Sequence, residues 1–185
     1  DLGTLTKKSP ITSSNPHICI VGHITQAELE ELLTPAVIWS GLGNRFLWCC
    51  VQRKGFQPDP QPMPGKSVAE IARRFQNAFL SAKGIERIDW GCDEVKNAWR
   101  ASYEELSEGG IGTAGAMTGR GEAQVRRLAM VYALLDESAS IGLIHLEAAL
   151  AVWKYCEKSG EYLFGTDDPN ADAANRIMRH FEDLP

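Results

Sequence analysis

EAQVRRLAMVYALLDESASIGLIHLEAALAVWKYCEKSGEYLF, residues 122 to 164, is the stretch that decides the fold. Val125, Leu128, Ala129, Tyr132 and Leu135 recur at the spacing of one helical face. That periodicity predicts a helix from Glu122 to Asp136. Leu146, Ala149, Leu150, Trp153, Tyr155, Cys156 and Leu163 repeat the pattern and predict a second helix from His145 to Phe164. The connection from Glu137 to Gly142 is short, so the two helices should pack antiparallel. Val125, Leu128, Tyr132, Leu146, Leu150 and Trp153 are then expected to face inward. A chain organised around such a pair is predominantly helical.

Toward the N-terminus, a Gly/Ala/Thr tract from Gly109 to Gly119 is either flexible or packed closely on another backbone. Before it, Val95, Trp99, Tyr103 and Leu106 predict a helix from Asp93 to about Leu106. Ile85 to Trp90 alternates and predicts a short strand. Ser67 followed by Glu70 has the form of a capping box, opening a helix that runs to Lys83 and stops at Gly84. Its stripe is Val68, Ile71, Phe75, Ala78 and Phe79. Pro58, Pro60, Pro62 and Pro64 make residues 55 to 65 an extended surface loop. Arg45 to Val51 is a strand candidate, preceded by a break at Gly41 to Asn44 and a turn at Ala36 to Trp39. Thr25 and Glu28 form another capping-box pattern, with a helix from Gln26 to about Leu33. His17 to Val21, bounded by Pro16 and Gly22, reads as a buried strand, and residues 1 to 16 as a polar arm. Beyond Phe164, Asp167-Asp168-Pro169 reads as a linker and Ala171 to about Phe181 as a final helix. No internal repeat is visible.

The chain has 185 residues, enough for one domain with a core or one domain plus an appendage. Hydrophobic residues at 44% and charged residues at 23% exclude disordered, collagenous and membrane classes. A net charge of -5 is opposite in sign to the basic excess of nucleic-acid-binding domains, so any DNA contact must be local or come from elsewhere in a larger protein. Five cysteines without a CxxC, two of them adjacent at Cys49 and Cys50, suggest reduced, buried thiols and a cytoplasmic setting. No stretch is apolar enough to span a bilayer, and no signal segment opens the chain. The start at Asp1 rather than Met suggests a piece of something longer.

The chemistry-bearing motifs are few. No GxxxxGK[ST], HExxH or GxSxG occurs, so no complete active site is recognisable. Arg45 follows a glycine-rich break at the start of the second strand candidate. It could be an arginine finger reaching a phosphate held by a neighbouring subunit, or a surface arginine paired with a carboxylate. Arg120 stands at or just before a helix N-terminus, where a cation opposes the macrodipole. It either points to water or serves an anion bound there. His17 and Cys19 would share a strand face with His23 just beyond, but no fourth ligand is evident and no metal is expected. Trp90, Trp99 and Trp153 read as core anchors rather than base-stacking platforms, since no basic residues interleave them.

Several of these segments resemble the primase/helicase-type ATPases of phages and plasmids. The resemblance rests on Thr6-Lys7-Lys8-Ser9-Pro10, His17-Ile18-Cys19-Ile20-Val21-Gly22-His23-Ile24-Thr25, Gly43-Asn44-Arg45-Phe46-Leu47-Trp48, Glu122 to Ala129 and His145 to Leu150. These short motifs stand in family order from about residue 2 to residue 164. More distantly, the pattern is similar to the second half of the AAA+ core of minichromosome-maintenance helicases. That likeness would put His23 or Thr25 at the first, nucleotide-facing sensor, Arg45 at the arginine finger and Arg120 at the second sensor. The Walker A and Walker B elements of such an ATPase are absent.

The resemblance implies an α/β fragment, predominantly helical, with two or three short strands and an AAA-like helical lid. Residues 1–66 would end the ATPase core, 67–165 would form the lid-like domain, and 166–185 would be a linker and the start of a possible winged helix. It implies the C-terminal part of an ATP-dependent DNA primase/helicase of a mobile element, not catalytic by itself. ATP and magnesium would belong to the full-length parent, DNA would be met through that parent, and self-association or a homo-oligomer would follow. The rival expectation is a non-catalytic helical interaction module or a small stand-alone protein of a mobile element.

Overall fold

A computed structural model describes residues 2–3, 12–14, 16–56 and 58–165. Among the described residues the architecture is predominantly helical, with two very small two-stranded sheets. The chain divides into two compact units, the first ending at Leu33 and the second beginning at Thr34. The expected linker and final helix at 166–185 lie outside the described residues.

In the first unit, Leu2–Gly3 (β1) pairs antiparallel with Thr12–Ser13 (β2), so the segment read as an arm contributes a small hairpin pairing. Helix α1 spans Gln26–Leu32 and begins at the expected capping box. The Thr25 hydroxyl accepts the Glu28 N–H at 3.3 Å, and the Glu28 carboxylate accepts the Thr25 N–H at 3.2 Å. The strand expected at His17 to Val21 does not form, and Ile18, Ile20 and Val21 are exposed. A β-branched run becomes a strand only where a neighbour completes its ladder, and no described segment pairs with it.

The second unit opens with α2 (Pro35–Trp39), capped by Thr34 with proline at its first position. Gly43–Arg45 then makes a single 3-10 turn. The strand expected from Arg45 to Val51 is replaced by this turn and by irregular, unpaired chain beyond it. Helix α3 spans Gly65–Ala82. Its N-cap is Pro64, not the Ser67 of the expected capping box, and Glu70 instead pairs with Arg73 at 2.8 Å. Four members of its apolar stripe, Val68, Ile71, Phe75 and Phe79, are at least half exposed; only Ala78 is buried.

Helix α4 (Asp93–Glu108) carries Asp93 and Glu94 in its first turn, where carboxylates complement the helix dipole. The Gly/Ala/Thr tract is neither loop nor linker but a short helix, α5 (Gly112–Thr118). The tract folds closely on itself rather than on another backbone at this point: a Cβ on Gly115 would sit 1.6 Å from the Gly110 carbonyl oxygen. Helices α6 (Gly121–Leu135) and α7 (Leu143–Phe164) form the centre. Gly121 at the start of α6 lies against Trp153, while Asp136 just past its end meets His145 in the first turn of α7. The pair is therefore antiparallel. Val125, Ala129, Ala133, Leu146, Ala149 and Trp153 are buried with Val95 and Ile141; Leu128, Tyr132 and Leu150 pack on that cluster. Asp89–Trp90 (β3) and Ser140–Ile141 (β4) pair in parallel. Of the strand expected over Ile85 to Trp90, only these last two residues form one. Trp153 is a core anchor; Trp90 and Trp99 are half-buried and stack on each other with centroids 5.0 Å apart.

Candidate functional site

Arg45 and Arg120 belong to one region of the second unit. The 3-10 turn that carries Arg45 is seated on α5, with Gly43 directly under Met117: a Cβ at Gly43 would fall 2.3 Å from the Met117 sulfur. Trp48 holds the same turn from the other side, donating its indole N–H to the Gly43 carbonyl at 3.1 Å. Arg120 is the residue immediately before α6 and its N-cap by position. Gln124, buried one turn into α6, joins the two. Its backbone N–H bonds to the Arg120 carbonyl at 3.0 Å, and its side-chain amide donates to the Asn44 carbonyl at 3.3 Å. The turn that carries Arg45 is thus tied through its backbone to the first turn of α6, the helix that Arg120 precedes.

The local chemistry of each arginine differs. Arg45 is exposed, and its guanidinium curls back to donate to the Gly41 carbonyl of its own turn. Gly41 has φ of +69°, a backbone conformation that favours glycine and aims its carbonyl at this hook. Arg120 is half-buried. Among the described residues neither arginine lies within ion-pair distance of a carboxylate. Next to Arg45, the buried side-chain oxygen Oδ1 of Asn44 has no hydrogen-bond partner. An amide oxygen accepts and a phosphate oxygen also accepts, so Asn44 offers that anion nothing at this atom.

His23 and Thr25 lie in the first unit. His23 is exposed. The Thr25 hydroxyl is committed to the cap of α1, donating to Glu28 at 2.8 Å while accepting its N–H. These bonds hold the Glu28 carboxyl below the usual carboxylate range. His17 and Cys19 are exposed, and no described group of three ligating side chains could hold a metal. The expectation of buried thiols holds only for Cys156; Cys19, Cys49 and Cys92 are exposed and Cys50 is half-buried.

Two features had no counterpart in the motif reading. A groove of about 440 Å³ separates α3 from the joined ends of α6 and α7, lined by Ile71, Arg74, Phe75, Leu135, Ile144 and His145 among others. His145 looks like an acid–base residue there but has both ring nitrogens occupied. Nδ1 accepts the Gly142 N–H at 2.9 Å, and Nε2 faces the Asp136 carboxylate at 3.2 Å. With Nδ1 accepting, the proton sits on Nε2 and is donated to Asp136, so the ring caps α7 and leaves no free nitrogen for substrate. The second feature is Gly65-Lys66-Ser67 at the start of α3, which has the form of the end of a phosphate loop. Pro60, Pro62 and Pro64 precede it and carry no N–H, so the successive amides that cradle a triphosphate are missing. Gly65-Lys66-Ser67 therefore does not complete a phosphate loop.

Among the described residues no helix is long and apolar enough to cross a membrane. No protein-family model matches the chain, and neither the curated proteins nor the solved structures give a match.

Proposed function

We propose that this chain is the C-terminal part of an ATP-dependent primase/helicase-type protein of a mobile element, the end of its ATPase core followed by a helical lid, and that Arg45 and Arg120 act on phosphate held by another part of that assembly. The single observation that carries the reading is the Gln124 bridge, which fixes the Arg45 turn to the residue preceding α6. Cations without a carboxylate partner among the described residues, one on a tied-down turn and one at a helix start, suit an anion supplied from outside. Arg45 would swing from the Gly41 carbonyl to the γ-phosphate in trans, exchanging one exposed hydrogen bond for a charge-assisted one. Arg120 would act in cis. ATP and magnesium would be bound by the preceding part of the parent, and the working form would be a homo-oligomer acting on DNA in the cytoplasm.

The test has two arms. Calorimetry of this chain with ATP and magnesium should show no micromolar binding. Two cation contacts open to solvent in whole or part, at about 0–1 kcal/mol each, fall far below the ~8 kcal/mol that micromolar affinity requires. In the full-length assembly, Arg45→Ala should lower ATP turnover by about 10³-fold or more with ATP affinity nearly intact, because a finger acts in the transition state. Unchanged turnover would remove Arg45 from the mechanism; parallel loss of binding and turnover would mark a folding defect.

One observation favours a second reading, a helical module that binds a protein partner. The α3 stripe of Val68, Ile71, Phe75 and Phe79 is exposed along most of the helix, and amphipathic faces of this kind dock into complementary apolar surfaces. If the full gene lacked a phosphate loop upstream, this reading would replace the first.

A further inference from the structure

Cys49 follows Trp48 on the chain segment that leaves the Arg45 turn, and that segment is laid along α7. Three successive residues make the contact. The Trp48 ring meets Phe164 edge-on with centroids 5.0 Å apart. The Cys49 sulfur lies 3.6 Å from the Cys156 sulfur. The Cys50 carbonyl accepts the Tyr155 hydroxyl. Cys49 is therefore held on both flanks, with its sulfur in contact with a thiol of the facing helix. The two cysteines differ in access: Cys49 is exposed, whereas Cys156 is 2% exposed. Burial, and then the neighbouring Cys49, push the Cys156 thiol up to about 12, so it is protonated in the resting pair and must give up its proton as it attacks, while burial screens it from external oxidants.

We infer that Cys49 and Cys156 form a reversible thiol–disulfide pair, with Cys49 the sulfur that meets an oxidant and Cys156 the sulfur that resolves it. Hydrogen peroxide oxidises the Cys49 thiol to a sulfenic acid and is itself reduced to water. The Cys156 sulfur then attacks the Cys49 sulfur, its proton leaves with the sulfenic hydroxyl as a second water, and the disulfide forms. A disulfide needs sulfurs about 2.05 Å apart, so closure takes a shift of roughly 1.5 Å from the observed contact, within reach of side-chain rotation. The bond would fasten the segment after the Arg45 turn to α7, and a thiol reductant would release it. The sulfur that touches Cys156 is that of Cys49, not that of its neighbour Cys50, which meets α7 through its backbone carbonyl. This inference stands on the geometry of Cys49 and Cys156 and does not depend on ATP chemistry.

The experiment uses the whole chain carrying Cys19→Ser and Cys92→Ser, which removes the other exposed thiols. The protein is treated with dilute hydrogen peroxide, blocked with iodoacetamide and digested with trypsin without reduction. The expected major product is residues 46–53 cross-linked to residues 155–158, reversed by dithiothreitol. Cys50→Ser should leave its yield unchanged, and Cys49→Ser and Cys156→Ala should abolish it, with circular dichroism confirming that each variant is folded. Oxidation should also raise the thermal midpoint by roughly 5–10 °C, since the bond constrains the unfolded chain. A cross-link that survives Cys49→Ser, a Cys49–Cys50 disulfide as the main product, or oxidation of Cys49 to sulfinic acid with no cross-link would each overturn the assignment. If Cys156→Ala failed to fold, persistence of the cross-link in Cys50→Ser together with its loss in Cys49→Ser would still decide the pairing.

Discussion

Truncation of Trp153 to alanine tests the centre of the fold. The residue is 5% exposed and lies against the start of α6. An indole side chain removes about 150–250 Å² from water, worth about 4–6 kcal/mol at 25 cal/mol/Å². An unfolded chain that is already partly compact lowers that figure by roughly 10–40%. Trp153→Ala should therefore cost about 3–5 kcal/mol, in line with large aromatic truncations elsewhere. Gly121 provides the coupled perturbation. A Cβ there would meet the Leu106 carbonyl oxygen at 2.9 Å and two indole carbons of Trp153 at 3.0 Å. Overpacking costs about 1–3 kcal/mol, offset by about 0.5–1 kcal/mol from alanine's better helix propensity. Without the indole, two of the three close contacts disappear, so Gly121→Ala should be milder by about 1 kcal/mol in the Trp153→Ala background, a typical coupling for touching residues. Urea unfolding followed by far-ultraviolet circular dichroism gives the four free energies of the cycle. A Trp153→Ala loss below about 1 kcal/mol would refute the placement of this ring, and strict additivity would refute its contact with Gly121.

Two further perturbations follow from charge. The Glu157 carboxyl is pushed up by partial burial and then by Glu161 and Glu105 beside it; a carboxyl raised above its unfolded value carries a penalty that is full above the folded pKa and fades as pH falls toward the unfolded one. Glu157→Gln should raise the thermal midpoint at pH 7 and lose that advantage by about pH 4, the unfolded value of glutamate; no gain at pH 7 would contradict it. Glu28 is the reverse case, lowered by its bonds to Thr25, so its contribution is present above the unfolded value and lost as pH falls through the folded one. Protection of the α1 amides, taken relative to their intrinsic exchange rate at each pH, should fall in that acid window, and in Thr25→Ala it should be low already at neutral pH; equal protection in the two proteins would show that the cap does not hold the helix.

The helical pair was legible in the sequence because its signals are local and mutually consistent. Val125, Ala129, Leu146, Ala149 and Trp153 repeat at helical spacing, and a short connection leaves antiparallel packing as the simple solution. Two of the three expected strands fail for the opposite reason. His17 to Val21 has strand composition, but a strand is a property of two segments, and its described surroundings provide no ladder. Arg45 to Val51 has the same composition, yet the Gly43–Arg45 turn and the contacts of Trp48 and Cys49 with α7 settle that chain against a helix instead.

The α3 stripe makes the distinction plain. Its apolar spacing is as regular as that of α7, yet Phe75 is 65% exposed while Trp153 is 5% exposed. Periodicity tells which residues share a face and says nothing of what covers that face. At the candidate site, glycines and a helix start were enough to single out Arg45 and Arg120, because special backbone leaves a compositional trace. The bridge between them leaves none: Gln124 reaches the Asn44 carbonyl through a side-chain amide, and any residue in the first turn of a helix could have been a glutamine. Cys49 shows the same limit from the other side. Its apolar neighbours suggested a buried thiol, but its accessibility and its partner Cys156 are set by how the chain past Arg45 lies on α7. Contacts between distant side chains, not elements, are what separate the reactive groups of this chain from its ordinary ones.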